Sequence, residues 1–370
     1  MNLQYRAAVL HQAGTALKIE QVSASALAPS DVLVRVRAAG LCHTDLEVID
    51  GSLRFPVPIV LGHEAAGIIE DVGSAVTKVK TSDHVVLSWN PHCGHCFYCD
   101  RGEPILCEDY LAKGSQAVQF DGHSKARLAS GADLKHLMFL GAFGEYCIVQ
   151  DQQAIPVPKE LPFDRACLIG CGVMTGVGAA LNIARIGAAD TVMVVGCGAV
   201  GLAAVQGARL AGAAKIIAAD IDDAKLALAL KMGATSAVNA GRDDAVAIGK
   251  KETAGRGVDV VLEAAGNAAA FRTTVEAVRP GGEVVWLGKI DVEKDVAFRW
   301  GALMQEKRIR RSSYGGARPA RDFPLLARAC LDERLLLDDL ITQRITLDTI
   351  NDGFSALRSG KAIRSVVTFD

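Results

Sequence analysis

The feature that most constrains this chain is the hexapeptide Gly196-Cys-Gly-Ala-Val-Gly201 together with its position. It follows the apolar run Thr191–Val195 and opens the Ala-rich stretch Ala199–Leu210, and Asp220 stands nineteen residues after Gly201, at the end of the next apolar run. A G-x-G-x-x-G sequence alone is a common turn, but strand, turn, helix and acid in that order are what a dinucleotide site requires. Gly196 permits the tight turn, Gly198 lets the backbone approach a pyrophosphate, and Gly201 lets helix and strand pack closely. The helix that begins at Ala199 and Val200 offers its free N–H groups and the positive end of its dipole to phosphates. Asp220 would accept hydrogen bonds from an adenosine ribose and repel a 2′-phosphate, which favours NAD over NADP. The plain alternative is a ligand-free turn with Asp220 as an ordinary surface acid.

The same alternation extends on both sides of this motif. From near residue 173, strands are expected over Thr191–Val195, 215–219, 258–262 and 283–287, with helices over Ala199–Leu210, 223–232 and 268–278. Strand-helix alternation implies a parallel sheet covered on both faces. The first part of the chain reads as β-rich. Residues 31–37 alternate apolar and polar, and residues 67–73 and 83–88 are short runs punctuated by Gly, Asp and Ser. Residues 108–137 show no clean period and read as irregular. The end of the chain returns to short mixed elements and closes with a strand over 365–369. A length of 370 residues suggests two domains, and a 50% hydrophobic composition can bury more than one core.

The formal charge of −2 comes with no basic tail or acidic block, so neither nucleic acid nor an anionic membrane is an expected partner. The N-terminal stretch MNLQYRAAVLHQAG lacks a charged region followed by an apolar one. The apolar stretches look short and broken by Gly, none approaching the roughly 20 residues that span a bilayer. The expectation is a soluble cytoplasmic protein.

Of ten cysteines, Cys93, Cys96, Cys99 and Cys107 fall within fifteen residues. In a chain without an export signal, such a cluster reads as a metal site before it reads as disulfides. Four thiolates at C-x2-C-x2-C-x7-C spacing can surround one tetrahedral zinc and leave no open position, which makes the site structural. An iron–sulfur cluster is an alternative for the same four ligands. His92 and His95 lie among them and read as surface residues.

Three further segments carry chemistry-bearing side chains: Gly40-Leu-Cys-His-Thr-Asp45, Gly62-His-Glu-Ala-Ala-Gly67 and Leu168-Ile-Gly-Cys-Gly-Val-Met-Thr175. Singly each is weak, because a lone Cys is usually a small core residue. Together they can offer two thiolates and one imidazole, three positions on a zinc whose fourth stays open to polarise a substrate oxygen. Asp45 could then hold the far ring nitrogen of His63.

These residues give the chain its resemblance to the zinc-containing alcohol dehydrogenases of the medium-chain dehydrogenase/reductase superfamily, in their longer, liver-enzyme-like branch. The match runs from Ala38-Ala-Gly-Leu-Cys-His-Thr-Asp45 to Leu357-Arg-Ser-Gly-Lys-Ala-Ile-Arg364. The resemblance implies a β-rich GroES-like catalytic domain over residues 1–172 and 315–370, and a Rossmann doubly wound parallel sheet over 173–314. It implies two zinc ions per chain, NAD as cofactor, a small alcohol or aldehyde as substrate and a homodimer. Cys42, His63 and Cys171 match the catalytic zinc ligands, Glu64 an acidic neighbour of the metal, and Thr44 the hydroxyl that takes the alcohol proton. His43 and Arg364 match contacts to the cofactor phosphates, Asp220 and Lys225 contacts to the adenosine ribose, and Thr175 and Val200 positions near the nicotinamide. Trp89 and Phe139 match walls of the substrate pocket.

Two departures stand out. Where many members end their proton relay in a histidine, this chain has Glu47, a weaker base near neutral pH. Residues 51–56 lack the acids, and residues 107–113 the arginine, with which glutathione-dependent formaldehyde dehydrogenases grip their adduct, so that activity is not expected. Bulky Trp89 implies a narrow inner pocket that favours primary alcohols. The competing readings are a polyol or formaldehyde dehydrogenase with the same chemistry, and a nucleotide-binding relative that has lost catalysis.

Overall fold

The computed structural model describes residues 3–370, which divide into two compact units: the residues up to Cys171 together with Arg318–Asp370, and Gly172–Ala317. Met1 and Asn2, where the stretch read for an export signal begins, lie outside the described residues. The second change of unit comes after Ala317 rather than at residue 315, because the turn Tyr314–Gly316 packs its Gly315 backbone against Gly178.

Gly172–Ala317 is built on a six-stranded sheet in the order Ser236–Asn239, Lys215–Asp220, Thr191–Val195, Val258–Glu263, Val278–Trp286, Arg308–Arg311. Every neighbouring pair in it is parallel. Thr191–Val195 is buried along its whole length, which is why it reads as one continuous apolar run. The chain order reverses across this strand, and ligands of such sheets bind outside the carboxyl ends of the strands at that switch point. Two strands and one helix, Ala245–Glu252, were not foreseen. Ser236–Asn239 is four residues long and half polar, and Arg308–Arg311 reads Arg-Ile-Arg-Arg, an edge strand that needs only one apolar side chain.

The other unit holds a five-stranded and a seven-stranded sheet. Asp31–Gly40 is the hub of the larger one, pairing with Ala65–Val72, Tyr146–Gln150 and Arg364–Thr368. Its register sets the site. Ala39 pairs with Ala65 and Gly40 with Val366, so Cys42, His63 and Arg364, each within three residues of a paired position, are carried to one end of the sheet. Residues 108–137, read as irregular, contain the helix Glu108–Gly114 and the short strands Ala126–Leu128 and Lys135–His136, all too brief to show a period.

The expectation that no apolar stretch approaches membrane-spanning length is corrected by the helical run Phe163–Ile183. At 21 residues and mean hydropathy 1.8 it is long and apolar enough to cross a bilayer, yet 72% of its apolar window is buried within the protein, as in a core helix. Gly170, Gly172, Gly176 and Gly178 disguise its continuity in the sequence.

Candidate functional site

The helix His43–Asp50 starts directly after the hub strand, with Cys42 at its N-cap and Asp45 in its first turn. Asp45 is fully buried and holds two segments at once. One carboxylate oxygen accepts the Gly62 N–H at 2.9 Å and faces His63 Nδ1 at 3.2 Å, and the other accepts the Cys42 N–H at 3.1 Å. With Nδ1 committed to Asp45, Nε2 of His63 is left to ligate. Cys171 arrives from a π-turn, Ile169–Val173, inside the long helical run, and such turns recur at functional sites. One ligand atom each from Cys42, His63 and Cys171 lies within 4.8 Å of the others.

The electrostatics match a cation site. A hydrogen bond from Cys171 holds the Cys42 thiol well below the ordinary cysteine range against the opposing effect of burial, and His63 and Arg364 assist. The same contact, with burial, pushes Cys171 up. Burial works against a charged His63 ring, but Asp45 and Cys42 outweigh it and raise its pKa well above the usual value. Soft thiolates and an imidazole, crowded and buried, suit a bound zinc ion.

Glu64 and Arg364 are both buried and form an ion pair at 3.2 Å, and Arg364 also donates to the Leu41 carbonyl at 3.0 Å. Arg364, matched above to phosphate contacts, is thus turned toward Glu64 and the two cysteines, whose negative charge helps hold it protonated. Thr44 is buried in the first turn of the same helix as Asp45, His43 is exposed, and Glu47 is partly buried.

Cys93, Cys96, Cys99 and Cys107 place their sulfurs within 4.8 Å of one another. The Cys93 N–H donates to Cys107 Sγ at 3.3 Å and the Glu108 N–H to Cys96 Sγ at 3.5 Å. The latter is the main reason that Cys96 is lowered to about 6. Neither nearby histidine joins the cluster: His95 is exposed with Nδ1 donating to the Cys93 carbonyl, and the His92 N–H donates to Gln152.

Phe139 is 1% exposed and packs with Cys107 and Phe120 behind this loop. Tyr110, which the sequence reading missed, stands in front of it, 5.4 Å from Phe139 and 6.1 Å from Trp89 between ring centroids. Burial raises the Tyr110 phenol, and the Cys171 charge raises it further. The available signal was an aromatic residue three positions after a cysteine of the cluster.

In the other unit, Gly196 turns with φ 91°, and a Cβ on Gly201 would lie 1.7 Å from the Gly196 carbonyl, so nothing larger than glycine fits there. Gly198 caps the helix Ala199–Leu210 without a side-chain cap, and a Cβ added to it would meet nothing within 4 Å, leaving room above the helix N-terminus. Ala199 and Val200 form its first turn and are partly buried. Asp220 ends its strand with one oxygen accepting the Cys197 N–H at 2.6 Å and the other the Asp222 N–H at 3.0 Å, which fixes the direction of the carboxylate. Lys225 lies 3.9 Å from Asp222, and Thr175 is partly buried in the helix Met174–Gly178. This cradle fits a dinucleotide.

Residues 28–159 match the family model described as an alcohol dehydrogenase GroES-like domain, and residues 199–331 match that described as a zinc-binding dehydrogenase. The NDMA-dependent alcohol dehydrogenase of Amycolatopsis methanolica is 39% identical, over 99% of each chain. An S-(hydroxymethyl)glutathione dehydrogenase of Komagataella pastoris is 35% identical, over 99% of this chain and 98% of that one. Among solved structures, benzyl alcohol dehydrogenase from Acinetobacter calcoaceticus superposes with a TM-score of 0.93 at 30% identity, covering both chains fully. With two clusters of metal-ligating donors, a cradle that fits a dinucleotide and relatives matched over nearly the whole chain, the chain belongs to the zinc-containing alcohol dehydrogenases of the medium-chain dehydrogenase/reductase superfamily.

Proposed function

We propose that this chain interconverts a primary alcohol, aliphatic or aromatic, and its aldehyde with NAD as hydride carrier, using one catalytic and one structural zinc. The observation that carries the reading is the Cys42–His63–Cys171 cluster with Asp45 behind it, a three-donor set with a position to spare. Zinc in that set supplies polarisation of the substrate oxygen, and NAD supplies the hydride acceptor or donor. Asp45 keeps the His63 ring in one tautomer and orientation. Thr44 receives the alcohol proton on its hydroxyl, and Glu47 is not required for its onward passage. Arg364 and Glu64 offset each other's charge beside the cysteines. Asp220, already aimed by two backbone N–H groups, receives the ribose hydroxyls.

Elemental analysis with activity assays tests the metal assignment. Two zinc ions per chain are expected. Cys42→Ser should lose one zinc and all activity while keeping its fold, and Cys99→Ser should lose the other zinc and melt at lower temperature. One zinc or none in the native protein would contradict the reading. Because the Amycolatopsis relative is NDMA-dependent, turnover should be followed with NAD alone and with NDMA added; turnover only with NDMA would remove free NAD from the cycle. A homodimer and a cytoplasmic location complete the proposal.

A further inference from the structure

At the end of the parallel sheet opposite the dinucleotide cradle lies a cavity of about 660 Å³, lined among others by Lys250, Arg256, Glu276, Arg279, Gln305 and Lys307. Gly196 follows the carboxyl end of Thr191–Val195, whereas this cavity opens at the amino ends of Val258–Glu263, Val278–Trp286 and Arg308–Arg311. The two sites are therefore separated by the length of the strands.

The charges around the cavity do not balance. Of the lining residues only Glu276 is acidic, and it pairs with Arg299 at 2.8 Å; behind them Asp259 pairs with Arg279 at 2.6 Å and also feels the Arg256 charge. Lys250, Arg256 and Lys307 have no such partner within ion-pair distance among the described residues. They come from three separate places in the chain, the end of the helix Ala245–Glu252, the turn before Val258–Glu263, and the segment before Arg308–Arg311. The turn is held by the Gly255 N–H on the Lys250 carbonyl at 2.7 Å, and Lys307 is anchored by donating to the Val275 carbonyl at 2.7 Å.

Lysines at helix ends can serve merely to offset helix dipoles, in which case their charge would be favoured. Lys307 does meet a helix end, the Val275 carbonyl in the last turn of Ala268–Ala277, yet burial lowers its pKa and repulsion from Lys250 lowers it further, partly eased by Glu276. A concave surface lined by one sign of charge concentrates counter-ions of the other, and this volume lies in the range of small-molecule sites.

We infer that this cavity is a second ligand site, distinct from the cofactor cradle, for a small multiply charged oxyanion such as a polyphosphate or polycarboxylate. Lys250 and Arg256 supply the exposed charge, and Lys307 the fixed charge at the back. The test is isothermal titration of the full-length, zinc-loaded protein at low ionic strength with pyrophosphate and, separately, with citrate. At least one anion should bind, weaken as sodium chloride is added, and lose at least tenfold in affinity in the K250E/R256E variant. Whichever anion binds more tightly identifies the class of group recognised. Both substitutions fall on exposed side chains, so the melting temperature should stay near native, and R256S alone should show a smaller loss in the same direction. No binding of either anion, or equal binding by native and K250E/R256E proteins, as would follow if pyrophosphate entered only the cofactor cradle, overturns the inference.

Discussion

His136 is fully packed away behind the strand Lys135–His136, and its Nε2 accepts the Lys125 N–H at 3.1 Å. Burial, with Lys125 and Lys135 nearby, depresses its pKa to about 4. An unfolded histidine titrates near 6.5. The unfolded chain therefore takes up a proton first as pH falls, and stability present above pH 6.5 is lost between there and pH 4. The expected loss from this one ring is up to about 3 kcal/mol at roughly 1.36 kcal/mol per unit. Melting temperatures measured from pH 8 to 4 should fall less steeply in His136→Asn, whose amide can still accept from Lys125; equal slopes would show that other groups govern acid stability. No motif marks this histidine, because its role depends on long-range packing. Cys42, His63 and Cys171 sit in three separated segments, each weak alone, which only the family resemblance joined; the structure brings their ligand atoms within 4.8 Å of one another.

At the scale of elements, the helix Glu108–Gly114 joins two functions. It begins at Cys107, a sulfur of the four-cysteine cluster, and one turn later presents Tyr110 to Trp89 and Phe139. On the proposed function, the cysteine loop would thus steady an aromatic wall of the substrate pocket as well as its own fold. Aromatic contacts of this kind contribute about 0.5–1.5 kcal/mol beyond area burial. Tyr110→Leu should therefore raise KM for benzyl alcohol by about two- to tenfold while leaving kcat for ethanol within about twofold. Equal effects on both alcohols would mean a general loss of structure instead. This stretch reads as irregular in the sequence because seven residues give no periodicity. The longer elements Thr191–Val195 and Ala199–Leu210 were readable to the residue, since a buried parallel strand and an Ala-rich helix each leave a continuous signal.

Over the whole molecule, the parallel sheet around Thr191–Val195 followed from alternation, whereas its strand order, the edge strand of arginines and the buried run Phe163–Ile183 did not. Edge strands need little apolar sequence, and glycine interrupts an apolar run without interrupting a helix. On the proposed function, the Asp220 carboxylate, fixed by two backbone N–H groups, selects the cofactor. NAD should exceed NADP in kcat/KM by tenfold or more, and Asp220→Ser should narrow the gap; comparable values in the native protein would remove that role. The absence of adduct-gripping residues in 51–56 and 107–113 predicts little turnover of S-(hydroxymethyl)glutathione in the same spectrophotometric assay, despite relatives that bear that name.

Asp45 has a last consequence, for how the protein is loaded. Its three hydrogen bonds hold Cys42 and His63 in place through the polypeptide itself, so that centre is preassembled and filling it resembles ligand exchange. Among the described residues the four-cysteine loop shows no buried carboxylate clamp of this kind; its sulfurs are met by backbone N–H groups and by one another. There, ion uptake and loop ordering are one event. A mild chelator should accordingly give activity that cobalt restores within the dead time of mixing, whereas prolonged chelation should give a slow, incomplete recovery limited by refolding of the loop.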